Sequence, residues 1–177
     1  AREPISYPMQ HLSALAARLG RPRHQAPGPS LPAESPNGID RSNVRYVPVL
    51  ELHGQATLKM VGELRPWLGI SIDTPILNRA LFNLPRRGTI NIRKCLQPGY
   101  RGMAPGFGEL RDGIETTGVV VHWIDDDLNA GPIVWQRPLA IPPFSTPAGL
   151  AAELDLLGTD VLIEALRQID AGAELDL

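Results

Sequence analysis

A chain of 177 residues with 43% hydrophobic content has enough apolar side chains to bury a core, and its formal net charge of −2 is too small to recruit nucleic acid broadly. A single cysteine, Cys95, excludes an internal disulfide framework and favours a reducing, cytoplasmic setting. No run approaches the roughly 18 uncharged apolar residues of a membrane span, the opening residues do not read as a secretory leader, and 17 Gly with 18 Pro are too few for a low-complexity chain.

Seven of the 18 prolines precede residue 37, so the first fifth reads as connection, with one short helix from His11 to Leu19 ended by Gly20. Residues 26–43 read as a long surface loop, and Val44 to Leu52 as an extended or edge segment interrupted by Pro48. Helical spacing of apolar residues runs from Gln55 to Leu64 and stops before Pro66. Trp67 to Ile72 reads as a short buried strand. Asp73 as N-cap and Pro75 in the first turn predict a helix from Pro75 to about Leu84, closed by Pro85.

Gly88 leads into a strand at Thr89 to Ile92. A short helix from Pro105 to Arg111 and a turn at Thr117-Gly118 precede Val119 to Ile124, which has the β-branched content of a buried strand. Ile133 to Ile141 is a further strand, demoted towards an edge by Pro138. Thr146-Pro147 caps a long amphipathic helix in which Leu150, Leu154, Leu157, Val161, Leu162, Ala165, Leu166 and Ile169 share one face, with Gly158 as a kink or break. Helices between hydrophobic strands predict one α/β domain over residues 1–177 with an open, mostly parallel sheet. No G-x-G-x-x-G follows a strand, so the phosphate turn of a nucleotide-binding Rossmann fold is missing.

The segment from Thr89 to Pro105 runs from a β-branched strand into a loop crowded with polar groups. Side chains alternate along a strand, so Ile90 and Ile92 are expected to face a packed layer while Asn91 and Arg93 share the other face. They sit at the strand's C-terminal end, where open α/β sheets bind ligands.

Gly88-x-Ile90-Asn91-x-Arg93, Leu96-Gln97-Pro98-Gly99-Tyr100-Arg101-Gly102-Met103-Ala104-Pro105, Thr117-Gly118-Val119-Val120 and Asp125-Asp126-Asp127-Leu128-Asn129-Ala130-Gly131 together resemble the formyltransferase family that uses 10-formyltetrahydrofolate. The family pattern is G-x-I-N-x-H, L-L-P-x-[YW]-R-G-x-x-P, T-G-V-T and D-x-x-L-D-x-G, and the likeness extends outward over nearly the whole chain. Tyr100-Arg101-Gly102 is similar to the methionyl-tRNA and sugar-nucleotide branches. The resemblance implies a Rossmann-like sheet and transfer of a formyl group from 10-formyltetrahydrofolate, as co-substrate, to an amine. The acceptor classes are a small metabolite, a sugar nucleotide or an aminoacyl-tRNA, placing the chain in one-carbon metabolism. It implies catalytic positions at Asn91, Arg93 and Asn129, a folate pocket at Ile124, Asp125, Asp126, Asp127, Leu128 and Gly131, and an acceptor side at Pro98, Tyr100, Arg101 and Gly102. The family also begins with a strand, helix and strand for which this sequence has no counterpart.

Two of the three catalytic positions are substituted: Arg93 stands for a His and Asn129 for an Asp. Formyl transfer develops an oxyanion and releases a proton from the attacking amine. Asn91 can donate an N–H to that oxyanion, a role worth about 2.7 to 4 kcal/mol in acyl transfer. Arg93 stays protonated, has no acceptor and cannot be the base; Asn129 cannot replace a carboxylate. General acid–base help is worth about 10²- to 10⁴-fold, so turnover by proximity alone would be slow. Relative to the family, the pocket gains about two positive charges, which favours an anionic ligand. Two functions stay open: a weak formyltransferase, or a catalytically impaired relative that binds a folate-like or anionic ligand or a partner protein.

Several residues carry two readings. Arg93 either pairs with Asp125, Asp126 or Asp127 or faces a ligand. His122 is a packed, hydrogen-bonded histidine or the replacement base. Cys95 reads as filler, Tyr100 as core or cleft wall, and the three consecutive aspartates lack the spacing of a metal loop, so no metal is expected. The sequence specifies no membrane partner and no oligomeric state.

Overall fold

The computed structural model describes residues 44–96, 100, 104–126 and 131–172. The chain divides into two compact units, Ala1–Leu50 and Glu51–Leu177. Within the first, residues 44–50 form neither helix nor strand; the helix expected at His11 to Leu19 and the loop at 26–43 lie outside the described residues. The described helices and strands all belong to the second unit, in the order α1 (Gln55–Leu64), β1 (Gly69–Ile72), α2 (Arg79–Phe82), β2 (Thr89–Arg93), α3 (Phe107–Arg111), β3 (Thr116–Trp123), β4 (Ile133–Ala140) and α4 (Pro147–Asp170).

The strands form one four-stranded sheet in the order β1-β2-β3-β4. β1 runs parallel to β2, but β2–β3 and β3–β4 are antiparallel, so the α/β fold carries a mixed sheet instead of the mostly parallel one expected. Nine residues separate Trp123 from Ile133. A parallel return needs a crossover of about a dozen or more, so this connection permits only an antiparallel neighbour.

α4 packs across β3 and β4 and reaches β2. Val119 and Val121 of β3, fully buried, meet Leu154, Val161 and Ala165 of α4, also fully buried, with Ile90 and Ile92 of β2 completing the layer. Each such side chain contributes about 1.5–3 kcal/mol by leaving water. The helix opens as its sequence prescribes: Thr146 is extended, its Oγ1 accepts from the Gly149 amide at 3.1 Å, and Pro147 occupies the first turn. It continues through Gly158 without the expected break.

Three other local expectations change. The helix predicted at Pro75 is only Arg79–Phe82, capped by Asn78, whose Oδ1 accepts from the Leu81 amide at 3.0 Å. Asp73 instead adopts a left-handed conformation with φ 49°. Among the described strands β1 lies at the edge of the sheet, with Ser71 inward and Ile70 and Ile72 exposed, not buried as expected. Gly118, expected in a turn, lies inside β3 opposite Pro138, where an added Cβ would collide with the Arg137 carbonyl and come within 2.9 Å of the Pro138 Cα. Only glycine allows the two strands to approach there.

Candidate functional site

The C-terminal end of β2 opens on a cavity of about 280 Å³. Asn91, Arg93 and Lys94 come from β2 and its exit, Asp73 and Thr74 from the loop after β1, Tyr100 and Pro105 from the segment leading into α3, and Glu109 from α3 itself. β2 delivers its side chains as alternation dictates, with Ile90 and Ile92 in the α4 layer and Asn91 and Arg93 on the opposite face.

Asn91 is fixed from across the sheet. It stands opposite His122 in the β2–β3 register, and its Nδ2 lies 3.2 Å from His122 Nε2. His122 Nδ1 lies 2.8 Å from the Trp123 carbonyl. A carbonyl only accepts, so Nδ1 carries the proton and Nε2 accepts from the Asn91 amide. That arrangement orients the asparagine and, among the described residues, leaves its second N–H and its Oδ1 without a protein partner. His122 is fully buried and does not line the cavity, so the replacement-base reading loses its support. A register shift between Val121 and His122 in the β3–β4 pairing sits beside this contact. Such irregularities commonly re-aim side chains near sites.

Arg93 does not pair with Asp125 or Asp126. Asp126 binds Arg79 instead, at 2.7 Å. Arg93 Nη1 is buried and has no hydrogen-bond partner among the described residues. The cation beside it is handled differently: Lys94 Nζ lies 2.9 Å from Asp73 and 2.6 Å from Asp155. Burial opposes charge on Lys94, but the hydrogen bonds to Asp155 and Asp73 outweigh it and raise the pKa above the usual lysine value.

Glu109 is buried, and its Oε1 accepts from Thr117 Oγ1 at 2.7 Å. Tyr100 lies against Gly108, and its hydroxyl bonds Asp112; desolvation first, then the Asp112 charge and hydrogen bond, raise its pKa. It is therefore cleft wall. Cys95 is buried on the same lining.

Of the residues expected in the site, Asn91, Arg93 and Tyr100 share this cavity. Ile124, Asp125, Asp126 and Gly131 lie beyond the end of β3 and do not line it. Gly131 is buried against the Trp123 backbone, and the Ile124 amide donates to the Thr89 carbonyl at 2.8 Å. Pro98, Arg101, Gly102, Asp127, Leu128 and Asn129 are outside the described residues. Asp73, Lys94 and Glu109 were not expected in the site. The sequence reads Asp73 as a helix cap, and a glutamate in a five-residue helix carries no local signal of a buried partner. Among the described residues no His, Cys, Asp and Glu group could hold a metal, and no helix is long and apolar enough to cross a membrane.

The formyl transferase family model matches residues 73–166, more than half of the chain and all of the cavity-lining positions. This chain belongs to the formyl transferase family. The methionyl-tRNA formyltransferase of Roseiflexus sp. (strain RS-1) is 33% identical over 165 residues, covering 85% of this chain and 51% of that protein. A Mycobacterium tuberculosis protein described as a likely sugar N-formyltransferase superposes with a TM-score of 0.60 at 26% identity, over 78% of this chain and 56% of that one. A formyltetrahydrofolate deformylase from Pseudomonas putida KT2440 superposes with a TM-score of 0.53 at 27% identity, over 63% and 40% of the two chains. The chain spans about half the length of the curated formyltransferase to which it is similar. Asn91 and Arg93 both line the cavity.

Proposed function

We propose that this chain catalyses slow formyl transfer from 10-formyltetrahydrofolate to an amine of a sugar nucleotide, an aminoacyl-tRNA or a small metabolite. The observation that carries the reading is Asn91, held by His122 on the rim of the cavity with one amide N–H left to give. The bound folate supplies the activated formyl carbon. Asn91 donates to the formyl oxygen as its charge grows, and Arg93 adds a permanent positive charge on the same strand face. As the acceptor nitrogen bonds to the formyl carbon it loses a proton, the carbon–N10 bond breaks, and N10 gains a proton to leave as tetrahydrofolate; neither Arg93 nor Asn129 can carry that proton. Water or the acceptor's own chemistry has to serve, which is the reason for a slow rate.

In this reading Ile124, Asp125, Asp126, Asp127, Leu128 and Gly131 hold the folate, and Pro98, Tyr100, Arg101 and Gly102 shape the acceptor side. The test is a transfer assay with 10-formyltetrahydrofolate and a panel of amines, on the native chain and on Arg93→His with Asn129→Asp together. Low native turnover raised by about 10²- to 10⁴-fold in the double variant supports it. No transfer by either protein to any acceptor overturns it.

A further inference from the structure

We infer that Arg93 makes this cavity a receptor for an oxyanion, a carboxylate or phosphate carried by a small ligand, and that this binding does not depend on formyl transfer. Arg93 lines an open cavity of about 280 Å³, and its Nη1, itself buried, has no hydrogen-bond partner among the described residues. A guanidinium cannot shed its proton to escape that state, and the place of Arg93 on the cavity lets a ligand oxygen serve as an acceptor for the side chain.

The nearby carboxylates are otherwise engaged. Asp73 and Asp155 hold Lys94 at 2.9 and 2.6 Å, Asp126 holds Arg79 at 2.7 Å, and Glu109 accepts from Thr117 at 2.7 Å. Lys94 is thus neutralised, and Arg93 is the cation of the lining without an ion pair among the described residues. Asn91, two positions back and about 7 Å away along the same strand face, offers a second N–H. Planar carboxylates and phosphates match an arginine fork with such a second donor. Glu109 shares the lining, so a single negative charge suits the site better than two.

The experiment titrates the full chain with sodium formate, sodium acetate and inorganic phosphate at constant ionic strength, by calorimetry and by the side-chain N–H resonances of Arg93 and Asn91. Saturable binding that shifts the Arg93 resonance, weakened about tenfold or more in Arg93→Met and partly retained in Arg93→Lys, is expected. Carboxylates binding better than phosphate at pH 8 identify a monoanionic ligand, and the reverse identifies a phosphate-bearing one; either supports the receptor. No saturable binding of any probe, or native affinity in a folded Arg93→Met, overturns it. If Arg93→Met fails to fold, an unmoved Arg93 resonance in the native chain decides against the proposal. Acetate has no formyl group to give, so a failed transfer assay leaves this result standing.

Discussion

Asn91 and His122 face each other across β2 and β3, and the imidazole holds the amide with one nitrogen because its other is committed to the Trp123 carbonyl. The candidate oxyanion donor is therefore oriented by a residue that never touches the cavity. Replacing His122 by Ala should free the Asn91 amide and strand a buried carbonyl. We predict a stability loss of about 1–3 kcal/mol from the unpaired polar groups, together with a lower kcat in formyl transfer and an unaltered acceptor KM. Urea unfolding and steady-state kinetics check both. A drop in stability with kcat intact would assign His122 to the core alone.

Arg93 poses the opposite problem, a cation whose buried nitrogen has no acceptor among the described residues. Removing such a group relieves desolvation that nothing repays, and apolar replacement of buried charges is often neutral or stabilising. Arg93→Met should therefore match the native chain or exceed it by about 1 kcal/mol in urea unfolding without ligand. A loss of several kcal/mol would mean that the guanidinium is satisfied by groups other than those described.

How much of this was legible in the sequence depends on the range of the forces involved. Thr146-Pro147, the apolar stripe of α4 and the alternation of Ile90, Asn91, Ile92 and Arg93 are set within one or two turns or residues, and the structure follows them. α1 likewise occupies Gln55–Leu64. Asp73 misled because its carboxylate can cap a helix but here reaches Lys94, which in turn reaches Asp155 on α4. That choice is made by residues 21 positions away and more. The same holds for Arg93: proximity in the motif suggested an aspartate partner, yet Arg79 takes Asp126. In β1 four residues of alternation do not say which face is covered, and Ser71, not its isoleucines, turns inward.

Lys94 ties the loop after β1 to α4, and its side chain is only 15% exposed. Its pKa is raised in the folded chain: burial works against the charge, but the Asp155 and Asp73 bonds prevail. A lysine that holds its proton more tightly when folded contributes its stability fully below the unfolded pKa of 10.5 and loses it as pH rises through the higher folded value. The partners are largely exposed, so the contribution is about 1 kcal/mol. Lys94→Met should cost that much in urea unfolding at pH 8, and the gap to the native chain should narrow at pH 11. A gap constant with pH would mark packing of the aliphatic stem as the cause.

Gly158 lies in the interior of α4, buried, and a Cβ built on it meets nothing within 4 Å. Its backbone is helical, so alanine fits without strain. Glycine loses more backbone freedom on folding than any other residue, and alanine at a compatible helical position removes part of that loss. Gly158→Ala should raise the unfolding free energy by about 0.5–1 kcal/mol, read as a higher urea midpoint with an unchanged slope. Because α4 packs on the face of the sheet opposite Asn91 and Arg93, formyl transfer and anion binding should be unaffected. A destabilised variant would show that the space beside Gly158 is needed by a neighbour, and that α4 has no room for even one methyl at this turn.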